Sequence, residues 1–228
     1  MPHAVVFDFD GVIVNSEPAH LRALQAVLAG EGASLSARDY YGRYVGLSDH
    51  DTFVSIARDF GLDWDAAFID TLVTGKSAAV QRLLDEGSPL FDGAADRIRA
   101  LAVDLPLAIA SGALRREIEQ VLSRARLLDC FGVIIAAGDT PRGKPFPDPY
   151  QAAVARLSET VGRRLDPARS VAVEDTLQGL AAARAAGLKT IAVTTTYPAS
   201  ALRLADEVTA DISGVTIARI RALVACRR

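Results

Sequence analysis

Two aspartates interrupt an apolar run near the start of the chain. In AVVFDFDGVIVNSE (residues 4–17), Asp8 and Asp10 follow Val5, Val6 and Phe7, where a charge is costly unless it is paired, hydrogen-bonded or bound to a metal. Glu174 and Asp175 end a second apolar run, SVAVED (170–175), and Ser111 and Gly112 end a third, LPLAIASG. Four carboxylates, together with the backbone carbonyl that an Asp-Phe-Asp spacing turns inward, are the hard oxygen ligands Mg²⁺ prefers, leaving positions for water and a substrate phosphate. With Mg²⁺ held by Asp8, Asp10, Glu174 and Asp175, Asp8 suits a nucleophile that attacks phosphorus. Asp10, at the start of the loop, suits the acid that protonates the departing alkoxide and then activates water. Ser111 and the Gly112 amide can hold phosphoryl oxygens at the start of the following helix, and Lys144 can offset their charge.

Each piece has a plainer alternative. An isolated Asp-x-Asp is commonly a solvated loop pair, Ser-Gly after a strand a helix cap, a lone lysine a surface residue, and Glu-Asp before a helix a dipole-complementing cap. Order and spacing change the weighting. Ser111 and Lys144 are 33 residues apart and Lys144 and Glu174 are 30 apart, each close to one βαβ repeat of roughly 30 residues. The groups therefore recur at one sheet edge. GDTPRGKP (138–145) matches G-x-x-x-x-G-K but has Pro145 where a phosphate-binding P-loop needs Ser or Thr, and Pro145, Pro147 and Pro149 prevent the lysine from opening a helix directly.

The elements needed to position these residues are legible. LPLAIAS (105–111), FGVIIAAG (131–138), SVAVED (170–175) and LKTIAVT (188–194) are short apolar runs ending in small or polar residues, as buried parallel strands do. Helix-period stretches lie between them at 113–128, 147–161 and 176–187, the last closed by Gly187. The alternation predicts an α/β fold, a doubly wound, mostly parallel, Rossmann-like sheet. In such sheets ligands bind at the carboxyl ends of strands, where Asp8, Asp10, Ser111, Gly112, Asp139, Glu174 and Asp175 all fall. Residues 16–86 give helical signals with no strand between them. One helix has Ser48 as N-cap, Asp51 as an acidic capping-box substitute and Gly61 as its end, and another runs from Asp63 towards Gly87. This segment is expected to be a helical insertion, with Pro89 and Gly93 marking the return to a sheet domain made of 1–15 and 87–228.

The 228-residue chain is half hydrophobic, enough for a sizeable core, and its net charge of -3 carries no basic stripe that would suit nucleic acid. Cys130 and Cys226 have no CxxC spacing and suit a reducing compartment. No apolar run approaches the roughly 20 residues of a membrane span, and no signal sequence precedes Asp8. The expectation is a cytoplasmic monomer or small homo-oligomer with a small phosphorylated metabolite as partner, and neither nucleic acid nor membrane.

Taken in order, DFDGVIVNSE, IASG, GKPFPDPY and VAVEDTLQG resemble the four motifs of the haloacid dehalogenase superfamily, in its phosphatase branch. The likeness spans nearly the whole chain and is similar in particular to the β-phosphoglucomutase and phosphoglycolate phosphatase group, which carries a helical cap. The resemblance implies that Asp8 is the nucleophile, Asp10 the acid/base, and Ser111 and Lys144 the phosphoryl ligands. It also implies that Asp8, the Asp10 carbonyl, Glu174 and Asp175 serve Mg²⁺. Residues 16–86 then correspond to the cap, YVGLSDHDTF (44–53), which contains Ser48, to its specificity loop, and His20 and Lys76 to cap-side positions; helix packing is the plainer reading of His20.

Two departures bear on the activity. The mutases hold their substrate's second phosphate with a cap arginine and a lysine after the motif serine, positions that here are Asp49 and Leu114. Hydrolysis of a small phosphomonoester is therefore favoured over mutase action, unless Arg115 or Arg43 restores the charge. A phosphoaccepting signalling domain uses similar strand-end groups but needs only about 120 residues and no helical insertion after its first strand. A fold that has kept binding and lost catalysis has no support, since every catalytic position is filled.

Overall fold

The computed structural model describes residues 1–45, 47–86 and 90–226. Gly46 in the specificity-loop motif, Gly87 and Pro89 at the edge of the insertion, and the terminal Arg227–Arg228 lie outside them. In chain order the elements are β1 (Ala4–Phe7), α1 (Glu17–Gly30), α2 (Ala37–Asp39), α3 (Asp49–Phe60), α4 (Ala66–Glu86) and α5 (Ala94–Asp104). There follow β2 (Leu107–Ala110), α6 (Arg115–Arg124), β3 (Phe131–Ile135), α7 (Asp148–Thr160), β4 (Ser170–Glu174), α8 (Leu177–Ala185), β5 (Lys189–Val193), β6 (Glu207–Thr209) and α9 (Ile217–Ala225). They gather into two compact units, Met1–Asn15 with Ser88–Arg228, and Ser16–Gly87.

The first unit is a six-stranded sheet in the order β3-β2-β1-β4-β5-β6, with every neighbouring pair parallel. Side chains alternate across it because successive residues of a strand face opposite ways. Val5 and Phe7 join Leu107, Ile109, Val171 and Val173 in a bulky layer beneath Ile98 and Leu101 of α5, Ile118 and Leu122 of α6, and Ile220 of α9. Ala4 and Val6 join Ala108, Ala110 and Ala172 in a layer of smaller side chains under α7 (Tyr150, Ala153, Leu157) and α8 (Ala182, Ala183). Burial on both faces explains why these strands read as continuous apolar runs.

The strands are shorter than their apolar runs. Leu105 is the C-cap of α5 and Pro106 has no N–H to donate, so β2 starts at Leu107. Beyond β3 the chain turns at once: Gly138 has φ +85°, and the Asp139 carboxylate accepts from the Ala136 amide at 2.9 Å. Asp139 is thus a turn acid, engaged also by Arg115 at 2.6 Å. β6 was not foreseen; EVT is only three residues long and half-buried, and gives no periodic signal.

The second unit is helical and has its own core, built from Leu24, Leu28, Tyr40, Tyr44, Phe53, Ile56, Ile69 and Leu72. A π-helical turn, Tyr40–Tyr44, follows α2. Ser48 caps α3, accepting from the Asp51 amide at 3.0 Å, and Gly61 ends it with φ +66°. Asp51 does not complete a capping box, because its carboxylate accepts from the Ser48 hydroxyl at 2.7 Å. α4 begins at Ala66, three residues past Asp63, and Asp65 accepts from the Phe68 amide near its start.

Candidate active site

The strand order reverses between β1 and β4: the chain builds outward from β1 through β2 to β3, then returns to the other side of β1 for β4. Such a switch point opens a crevice at the carboxyl ends of the strands. The register sets Phe7 beside Ile109 on one side and Val173 on the other. Asp8 and Glu174, the next residues on β1 and β4, therefore emerge next to each other, and Ser111 follows at the end of β2.

Asp8, Glu174 and Asp175 are all buried, and each offers an oxygen within 4.8 Å of the others. Lys144 reaches them from the loop before α7, with Nζ 2.8 Å from Asp8 Oδ1 and 2.5 Å from Glu174 Oε1. Three carboxylates against one lysine leave the cluster short of positive charge. Burial, joined by the Glu174 and Asp10 charges and opposed by Lys144, raises the Asp8 carboxyl to about 7. Burial and the Asp8 and Glu174 charges raise Asp175 to about 8 against its Thr196 bond and Lys144. Burial alone would depress Lys144, but Asp8 and Glu174 overcome it and keep the ammonium charged.

The two adjacent acids at the end of β4, Glu174 within it and Asp175 just past it, are treated differently. Glu174 Oε1 accepts from Lys144 Nζ and from Tyr150 Oη at 2.8 Å, and Oε2 accepts from the amides of Asp175 and Thr176 and the Thr176 hydroxyl. Asp175 Oδ2 accepts from the Thr196 hydroxyl at 2.5 Å, whereas Asp175 Oδ1 is buried with no partner. Room for the two carboxylates comes from glycines. A Cβ on Gly179, in the first turn of α8, would overlap the Glu174 carboxylate, and one on Gly11 would overlap Asp175 Oδ2. Gly11 also has φ +76°, which side chains other than glycine adopt at a cost.

This donor set fits a small divalent cation. The oxygens are hard, the cluster carries excess negative charge, and an orphaned buried carboxylate oxygen is the kind of atom a cation satisfies. Asp10 lies in the tight turn after β1, where the Gly11 amide donates to the Val14 carbonyl. Ser111 is buried, and its Oγ accepts from the Ala113 amide at 3.0 Å, leaving the hydroxyl proton to donate. Gly112 is exposed just beyond it.

His20, Asp49 and Lys76 meet in the helical unit. Lys76 is 3% exposed; its Nζ pairs with Asp49 Oδ1 and lies 2.9 Å from His20 Nδ1. Ser48 is occupied as the cap of α3. The two arginines that could replace the mutase cations are both engaged, Arg43 by Asp59 at 2.7 Å and Arg115 by Asp139, Glu119 and the Ile134 carbonyl. Sequence reasoning missed Tyr150, which reads as an ordinary core position of α7, and the threonines after β5. Thr195 donates to the Gly11 carbonyl and Thr196 to Asp175, in a loop whose only signal is a TTT run next to a strand end.

Known proteins resemble this chain in sequence and fold. The family model described as haloacid dehalogenase-like hydrolase matches residues 5–193. The chain is 31% identical over 193 residues to hexitol phosphatase B of Escherichia coli K12, covering 83% of this chain and 82% of that protein. It is 28% identical over 220 residues to validoxylamine A 7'-phosphate phosphatase of Streptomyces hygroscopicus subsp. limoneus, covering 94% and 96%. Among solved structures, CbbY from Rhodobacter sphaeroides in complex with phosphate superposes with a TM-score of 0.78 at 26% identity, covering 97% of this chain and all of that one. The chain belongs to the haloacid dehalogenase-like hydrolase family, and its curated relatives place it among the phosphoric monoester hydrolases of that family.

Proposed function

We propose that this protein is a Mg²⁺-dependent phosphatase that hydrolyses a small phosphomonoester, a sugar or polyol phosphate or a phosphoglycolate-like metabolite, through an aspartyl-phosphate on Asp8. One observation carries the reading: three buried carboxylates cluster at the switch point of the sheet, two of them paired with Lys144, and Asp175 Oδ1 has no partner. In the proposed first half-reaction an Asp8 oxygen bonds to phosphorus as the ester P–O bond breaks, and Asp10 gives its proton to the leaving alkoxide. In the second, Asp10 takes a proton from the water that attacks phosphorus, releasing inorganic phosphate and regenerating the Asp8 carboxylate. Ser111, Gly112 and Lys144 hold and neutralise the phosphoryl oxygens throughout. Mg²⁺, if held by Asp8, Asp175 and the Asp10 carbonyl, with the already hydrogen-bonded Glu174 adding its charge from behind them, would offset the negative charge that would otherwise repel the phosphate.

We assign residues 16–86 as the cap and His20, Ser48 and Lys76 as its substrate-side positions. Hydrolysis is favoured over transfer between positions of a sugar because Lys76 is neutralised by Asp49, while Arg43 and Arg115 are held by acids of their own units. The protein acts in the cytoplasm as a monomer or small homo-oligomer on a diffusible metabolite. No helix among the described residues is long and apolar enough to cross a membrane.

The test is phosphate release from a panel of phosphorylated metabolites with and without Mg²⁺, with Asp8→Asn and Asp10→Asn alongside. Steady, Mg²⁺-dependent turnover that both variants lose by at least a thousandfold is expected. Full activity in Asp8→Asn would overturn the nucleophile. Conversion of β-glucose 1-phosphate to the 6-phosphate far faster than its hydrolysis would replace the phosphatase with a mutase, and one stoichiometric phosphorylation without release would mark a signalling switch.

A further inference from the structure

The threonine loop after β5 lies outside the four motifs, yet it makes two contacts to the site. Thr195 donates to the carbonyl of Gly11, in the turn that carries Asp10, and Thr196 donates to Asp175 Oδ2 at 2.5 Å. Asp175 is 2% exposed, and its other oxygen has no partner. Gly11 approaches Oδ2 as well, so closely that a Cβ there would overlap it. A carboxylate in open surroundings rotates about χ2 and offers either oxygen, or both. Here one oxygen is held by a hydroxyl donor and packed against Gly11, and the other has no partner. Glu174 next to it is saturated at both oxygens by five donors.

We infer that Thr196 is a positioning residue: it holds Asp175 by Oδ2 so that Oδ1 alone is presented to a divalent cation. This rests on the reading of the cluster as a cation site. The consequence is selectivity as well as affinity. Mg²⁺ demands near-ideal octahedral geometry with one oxygen per carboxylate, whereas Ca²⁺ accepts bidentate carboxylates and more ligands at longer distances. A pinned Asp175 enforces the first arrangement and excludes the second.

Titration calorimetry with MgCl₂ and with CaCl₂ on the metal-stripped full-length protein tests this without any substrate. Thr196→Val keeps the shape and removes the hydroxyl; Mg²⁺ affinity is expected to fall 10- to 100-fold, the usual cost of losing an outer partner of a metal ligand. Ca²⁺ affinity is expected to fall less, so the Mg²⁺/Ca²⁺ preference shrinks, and Thr196→Ser restores both. Thr195→Val, which loses only the bond to Gly11, is expected to keep the wild-type preference. If the valine methyl beside Asp175 prevents folding, Thr196→Ala carries the same expectation. An unchanged Mg²⁺ affinity, or equal losses for both ions, would overturn the inference and leave the phosphatase reading standing. A wild-type protein that binds no Mg²⁺ would overturn both.

Discussion

Gly179→Ala separates two opposed effects whose sizes can be set against each other. Gly179 is in the first turn of α8, donating its amide to the Thr176 hydroxyl, and helix propensity alone makes alanine there more stable by up to about 1 kcal/mol. Its Cβ, however, would overlap three heavy atoms of the Glu174 carboxylate, which is fully buried and cannot swing into solvent. Overpacking of this kind costs about 1–3 kcal/mol. Moving the carboxylate also strands the buried Tyr150 hydroxyl, at about 1–3 kcal/mol for an unsatisfied donor. The steric and polar costs outweigh propensity, leaving a net loss of about 3 kcal/mol, or a fall in Tm of about 6–12 °C for a protein of this size. Calorimetric or circular-dichroism melting reads this directly. Gly143→Ala, where a Cβ meets nothing within 4 Å, serves as control and should be neutral or slightly stabilising. Because Glu174→Ala strands the same Tyr150 hydroxyl and removes the clash, the losses from Gly179→Ala and Glu174→Ala should combine to much less than their sum. A Gly179→Ala protein that melts at or above wild type would refute the close approach of α8 to Glu174 on which the site's geometry depends.

Three further outcomes are expected. In EDTA, a folded-state Asp8 carboxyl near 7 binds its proton more tightly than the unfolded chain does at 3.8, so its ionisation costs stability as pH rises from about 4 through 7; Asp8→Asn should flatten that fall and melt above wild type at pH 8. Tyr150→Phe keeps the ring beneath Lys144 but removes the bond to Glu174, so urea unfolding should show a loss of about 1 kcal/mol and kinetics a weaker KM with kcat less affected. In the helical unit, Asp49→Asn leaves the buried Lys76 ammonium without its carboxylate; with Asp49 one-third exposed, a loss of about 1–2 kcal/mol is expected, and a smaller loss for Asp49→Asn,Lys76→Met would show the two residues to be coupled.

The parts of the fold legible in the sequence are those with a local physical signature. Apolar runs doubly buried in a parallel sheet give β1 to β5, and Ser48, Gly61 and Gly187 mark helix ends by capping chemistry that depends on their own neighbours. Strand-end position put Asp8, Glu174 and Asp175 at one sheet edge, and spacing near one βαβ unit added Lys144; the four lie in one cluster. What was not legible depends on contacts between distant segments. The partner of Tyr150 is on another strand, and a buried tyrosine on a helix looks like any other core residue until Glu174 is found beside it. Thr196 acts on Asp175 across 21 positions of sequence, and the strand that would have drawn attention to its loop, β6, is too short to announce itself. Arg115 and Arg43 looked free to bind phosphate because a sequence does not show which acids claim them.

The placement of β1 also governs when the site can exist. It is the first strand synthesised, yet it lies inside the sheet, with Val5 hydrogen-bonded alongside Leu107 on one side and Val171 on the other. A chain emerging from the ribosome therefore exposes Asp8 long before either neighbouring strand has been made, while the helical segment, whose contacts are nearer in sequence, is complete much earlier. Lys144, the counter-charge of Asp8, is made between those two strands, and the Thr196 loop that bonds Asp175 follows both. Asp8 is thus the earliest member of the carboxylate cluster to be made and among the last to be set in place, so a truncated or nascent chain carries the acid without the neighbours that surround it in the fold.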